Sequence, residues 1–210
     1  MATVDSLHTL LVEELRDIYD AEKRLTKAIP KMAKAATNDD LRTALKEHLA
    51  ETEQQVVRLE EAFEELEAPA KGKPCAGMKG IIEEGDEHVG EDFDDDGLRD
   101  ATIIGAAQRV EHYEMAAYGT AIAHARLLDQ SGVVKLLEQT LAEEKQADEK
   151  LTEIAESVVN LDAASQEDES SMPRTGPSSR RQAPTSLRSQ AASSSRAGKR
   201  SRKSTSRSRR

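Results

Sequence analysis

His48 and Glu51 stand three residues apart, and so do Glu111 and Glu114. On a helix each pair lies one turn apart on one side. Glu22 comes four residues after Ile18 and three before Leu25, which places it on an apolar stripe. In a fourth segment the stripe reads Leu137, Leu141, Glu144, Asp148, Leu151, with Glu143 beside it. Carboxylates facing a core are costly unless something positive sits among them. Divalent cations answer that need. Two ions bridged by carboxylates, roughly 3.5–4 Å apart, explain inward acids gathered at one level from four segments. Carboxylates with some imidazole suit iron or manganese. The metal candidates are therefore Glu22, His48, Glu51, Glu111, Glu114, Glu144 and Asp148; no catalytic residue is assigned. Each acid taken singly also fits a solvated helix face, and His48 alone also fits a satisfied boundary histidine. Their coincidence on four segments favours the metal.

The elements that must carry these residues are helices, and the chain repeats them. Shifted by 92 residues, Leu45, Leu49, Ala50, Glu51 and Gln54 fall on Leu137, Leu141, Ala142, Glu143 and Gln146. The same shift puts Ile18 on Val110 and Glu22 on Glu114. A repeated helical hairpin predicts a four-helix bundle with a pseudo-twofold axis. The first helix should span about 5–36, with Pro30 kinking it or ending its first part. The second should span about 39–66, capped by Asn38 or Asp39. A Pro- and Gly-bearing loop at 68–78 and a short accessory helix at 79–89 precede a third helix over about 98–129. The fourth should run from Ser131 to about Asn160. Short links within each hairpin and one long crossover between them predict an all-α, antiparallel, ferritin-like bundle.

Charge divides the chain in two. Residues 1–164 hold 18 Lys/Arg and 37 Asp/Glu, a balance of −19; residues 165–210 hold 12 and 3, a balance of +9. The predicted domains are a bundle over 1–164 and a disordered Ser/Arg/Lys-rich tail over 165–210, which buries too little apolar surface to fold. Flexible positive charge can track DNA phosphates. Without aromatic residues in the tail, such binding would lack sequence preference. The alternatives are a solubilising extension or docking on an acidic protein surface. The lone Cys75 makes no internal disulfide and fits loop packing in a reducing compartment. With no long apolar run and no signal-peptide pattern, the expected location is the cytoplasm, with no membrane contact.

Leu15-Arg-Asp-Ile-Tyr19-Asp-Ala-Glu22-Lys, His48-Leu-Ala-Glu51-Thr52, Cys75-Ala-Gly77-Met78-Lys-Gly80-Ile-Ile-Glu83-Glu84 and Val110-Glu111-His112-Tyr113-Glu114-x-x-x-Tyr118-Gly119 together resemble the YciF-like ferritin-like proteins. The resemblance covers about residues 5–160. It implies a four-helix bundle with accessory helices, a di-iron-type site, a homodimer and a bacterial stress response. The preference for iron rests on this likeness more than on the ligand types. The wider ferritin-like pattern takes a Glu from each of two helices and Glu-x-x-His from each of the others. Here Glu51-x-x-Gln54 and Glu144-x-x-Ala147 lack that histidine, and His48, Gln55 and Asp148 are the substitutes at hand. The repeat favours Glu143 as the fourth helix's ligand, whereas the stripe favours Glu144. Tyr19, Tyr113 and Tyr118 could hydrogen-bond the carboxylates. The expected function is a di-metal stress protein, with iron favoured and manganese possible, reacting with peroxide or oxygen. The alternative is a non-catalytic structural or interaction protein on the same scaffold.

Overall fold

In a computed structural model, the backbone of residues 4–171 and the side chains of 4–165 are described. Among them all regular structure is helical: α1 Leu7–Ala35, α2 Asp39–Glu65, α3 Ala76–Val89, α4 Asp96–Leu127, α5 Ser131–Ile154, a π-helical turn Ala155–Val159, and α6 Asn160–Ser171. No described helix is long and apolar enough to cross a membrane.

Side chains cap the starts of several helices, Asn38 as the sequence predicts. Ser6 accepts from the Thr9 N–H ahead of α1, Asn38 from Asp40 and Leu41 ahead of α2, and Asp95 from Leu98 ahead of α4. Each satisfies an otherwise orphaned backbone donor. The α3 cap is Cys75, whose sulfur accepts from the Met78 N–H at 3.3 Å, so α3 begins three residues earlier than the expected 79. Pro30 does not end α1: it lies on the exposed face, and the helix runs on to Ala35 while Ala33 and Ala36 remain buried.

The four long helices form the ferritin-like antiparallel bundle. Thr37, just past α1, meets Asp100 at the start of α4, whereas Glu22 meets Tyr118 far along it. The α2–α4 crossover carries α3, which lies against α1 and α4. Apolar stripes build two core clusters. Leu25, Ile29, Leu45, Ile103, Val110 and Leu151 belong to one. Leu15, Ile18, Leu59, Phe63, Tyr118 and Leu137 belong to the other. Between them lies a polar layer: Glu22, His48, Thr52, Gln55, Glu111, Glu114, Thr140 and Glu144 are all buried.

The C-terminal end differs from expectation. The helical path continues past the expected end near Asn160 to Ser171. The π-helical turn keeps Ala155 and Val159 buried with Leu151 and Ile154. Next, α6 packs on the start of α4, where a Cβ on Gly97 would sit 2.8 Å from the Ala163 nitrogen. Residues 172–210, most of the predicted tail, lie outside the described residues.

Candidate metal centre

Each long helix delivers its polar residues to the layer by the spacing that delivers its apolar ones. Ligand atoms from His48, Glu111, Glu114 and Glu144 all lie within 4.8 Å of one another, and all four residues are buried. Glu22, fully buried, faces Glu114 and accepts a hydrogen bond from the Tyr118 hydroxyl.

The other expected residues lie further out. Glu51 is 48 % exposed, with Oε2 3.5 Å from His48 Nδ1. Asp148 is held outside the four by Gln108 at 3.1 Å and lies 3.5 Å from His112 Nε2. Glu143 turns to the α2–α5 seam, where Arg58 grips it with two hydrogen bonds of 2.6 and 2.7 Å and Gln55 donates at 3.2 Å. Glu144 points inward. The 92-residue repeat agrees with this division: Glu143 falls on Glu51 and Glu144 on Thr52, so one pair is peripheral and the other fully buried. Of the three tyrosines, Tyr118 alone bonds a clustered acid; Tyr19 donates to Glu60, and Tyr113 contacts Asp17 and Cys75.

This layer is poor in donors. Both oxygens of Glu114 and Glu144, one each of Glu22 and Glu111, the Gln55 oxygen and both His48 nitrogens are buried without a hydrogen-bond partner. As carboxylates the acids face one another, with only the Tyr118 hydroxyl and the His48 ring to offset them. Holding protons, Glu114 can donate to Glu22, and Glu144 to Glu111. The electrostatics point the same way. Burial, then the Glu144 charge, pushes Glu22 up to about 8. Burial also raises Glu111 to about 8 and Glu144 to about 9, and neighbouring carboxylates add to both shifts. Glu114, facing Glu22, Glu144 and Glu111, is driven well above the carboxylate range, first by burial. For His48 burial opposes the charge, but Glu51, Glu144 and Glu22 outweigh it and raise the pKa.

Orphaned acceptors around one point are what a bound cation satisfies. Four carboxyl groups and one imidazole are hard oxygen and nitrogen donors of the kind iron and manganese take. The residues therefore fit a metal.

Comparison with known proteins places this chain in a family. The profile described as "Domain of unknown function (DUF892)" matches residues 6–164. The chain belongs to the DUF892 family. Protein YciF of Escherichia coli K12 is 42 % identical over 159 residues, spanning 75 % of this chain and 95 % of that protein. The crystal structure of this E. coli stress protein superposes with a TM-score of 0.71 at 41 % identity, covering 75 % of this chain and 99 % of that one. YcfI of Rhodopseudomonas palustris, described provisionally as a structural protein, gives 0.69 at 44 % identity, covering 72 % and 98 %. A Xanthomonas campestris protein at 24 % identity shares the fold, with a TM-score of 0.59 over 79 % and 99 % of the chains. This DUF892 chain is thus YciF-like, with a buried His/Glu cluster able to hold a metal ion.

Sequence reasoning missed Asp100. It is buried on the inward stripe of α4, three residues before Ile103 and seven before Ala107, so the spacing signal was there. It also missed the Arg58–Glu143 pair, whose partners are 85 residues apart and share no local pattern.

Proposed function

We propose that this DUF892 protein is a divalent-metal stress protein, with iron favoured, whose centre reacts with peroxide or oxygen. The observation that carries the reading is the set of buried, unpartnered atoms on His48, Glu22, Glu111, Glu114 and Glu144. His48, Glu111, Glu114 and Glu144 would hold one ion; Glu22, opposite Glu114, supplies a further carboxyl for a second. Bound iron would supply the electrons that reduce peroxide or oxygen. The protein's part is to bind, to exclude water and to manage protons. Protons held by these acids, whose pKa values burial raises, would leave as the acids become ligands. Tyr118, donating to Glu22, fixes that carboxyl from behind. The stress role is carried over from E. coli YciF, described as a stress protein.

Metal analysis of protein purified under reducing conditions without added metal, followed by ferrous loading in air, tests the reading. The expected result is retained iron or manganese and a near-ultraviolet band that grows on oxidation. Failure to bind either metal would leave the non-catalytic scaffold as the function.

Two partners belong to the same proposal. Residues 165–210, with a balance of +9, would bring the protein to DNA without sequence preference. Equal DNA affinity of full-length protein and a truncation after Met172 at low salt would remove that arm. The family resemblance further points to a homodimer, which light scattering in solution checks.

A further inference from the structure

We propose that divalent cations reach the centre through an opening between α2 and α5, where Glu51 captures the ion and His48 hands it inward. The proposal rests on the metal reading above and adds its route.

A cavity of about 230 Å³ opens in this seam. Its floor is His48 and Glu111, its sides include Ala44 and Ala147, and Glu51 stands at its mouth. From the mouth inward the groups form a graded series: Glu51 is half exposed, His48 nearly buried, Glu111 buried. His48 spans the step. Its Nδ1 lies 3.5 Å from Glu51, while its Nε2 lies 3.3 Å from Glu111 and 3.7 Å from Glu144. Neither ring nitrogen has a hydrogen-bond partner. An imidazole with one nitrogen toward an outer carboxylate and the other toward two inner ones can pass a cation between them.

The internal repeat supplies the comparison. Because α2 and α5 are equivalent under the 92-residue shift, the seam's other end is the symmetric mate of this opening. There Gln55 stands for Ala147, Leu136 for Ala44 and Arg58 for Lys150. That end is shut: Gln55 is fully buried, and Arg58 locks Glu143, the counterpart of Glu51, with a two-pronged ion pair. At the open end the corresponding lock is not made. Lys150 reaches Glu153 at 3.5 Å instead, leaving Glu51 to His48. One duplicated seam thus has a sealed end and an open end, where alanines stand for Gln55 and Leu136 and Glu51 is tied to no Lys or Arg among the described residues.

The test is stopped-flow loading of the full-length protein with cobaltous ion, read by its visible absorption, together with equilibrium titration. Ala147→Gln with Lys150→Arg rebuilds the sealed end, and Ala44→Leu is an independent plug should the pair impair folding. Either should slow loading at least about tenfold while the final stoichiometry and affinity stay at wild-type values. Glu51→Gln should slow loading several-fold, more at low ionic strength. Glu53→Gln, the same charge change at an exposed site on α2, should load as wild type does. Wild-type loading rates in both plugged variants would overturn the route. A lost equivalent of cobalt in Glu51→Gln, rather than a slower rate, would make Glu51 a ligand and overturn its role as a capture group. A wild-type protein that binds no cobalt at all would instead remove the metal reading itself.

Discussion

Two places in this bundle bury acids, and they treat them in opposite ways. Asp100, at the end of the bundle, accepts the backbone N–H groups of Thr37 and Asn38 at 2.8 and 2.7 Å and the Thr37 hydroxyl. It is buried and fully answered, and it ties the α1–α2 turn to α4. The glutamates of the central layer are equally buried and almost unanswered. Burial alone therefore does not mark a functional acid; burial without donors does. A satisfied carboxylate stabilises the fold, whereas several unsatisfied ones destabilise it until something positive arrives.

That contrast can be broken most severely through the metal. Glu144→Ala should weaken divalent-metal affinity by more than about a hundredfold in calorimetric titration, since even an outer-shell loss costs 10–100-fold. Asp100→Ala should leave metal affinity within a few-fold of wild type yet lower stability to denaturant by about 3 kcal/mol, because it strands two backbone donors. A smaller effect of opposite sign is expected inside the layer. Glu114→Gln should stabilise the metal-free protein at neutral pH by about 1–2 kcal/mol, because a buried amide needs no proton taken up on folding whereas the buried acid does. If Asp100 and Glu114 variants shift metal-free stability in the same direction, the distinction fails.

The most graded test is pH. Glu22, Glu111 and Glu144 have folded pKa values of about 8, 8 and 9 against an unperturbed 4.5. Below the unperturbed value both states are protonated and these groups favour neither. Between 4.5 and 8–9 the folded state holds more protons, so metal-free stability falls as pH rises through that window. His48, whose pKa is also raised, acts in the same direction above its unperturbed value. Metal binding displaces those protons, so stabilisation by metal should grow with pH. Thermal unfolding at pH 5.5, 7 and 8.5, with and without manganese, reads both slopes; parallel slopes would contradict the assignment.

How far the sequence reaches follows from the same physics. The bundle was legible because period and repeat are local signals: Leu15, Ile18, Glu22 and Leu25 state their common face in one dimension. Glu22, Glu111, Glu114 and Glu144 were legible as inward for that reason. Whether an inward acid is answered was not, since answers come from other elements. Asp100 meets Thr37, and Glu143 meets Arg58, across distances that no spacing rule spans. Glu51 sits on the border of its stripe, where a few degrees of helix rotation decide between interior and mouth. Beyond the π-helical turn, Ala163 lies against Gly97, a contact between two ends of the domain that no local spacing announces.

The cap on α3 gives the molecule a built-in reporter. Cys75 is its only cysteine, fully buried, with its sulfur accepting from Met78 and lying 3.0 Å from the Tyr113 hydroxyl. Burial raises the thiol's pKa, so the reactive thiolate is scarce while the cap is intact. Tyr113 stands between Glu111 and Glu114 on α4. Any motion of α4 that frees Cys75 therefore also disturbs the two acids flanking Tyr113. The labelling rate of one native thiol becomes a clock for how often the crossover lifts from the bundle, readable without adding a probe.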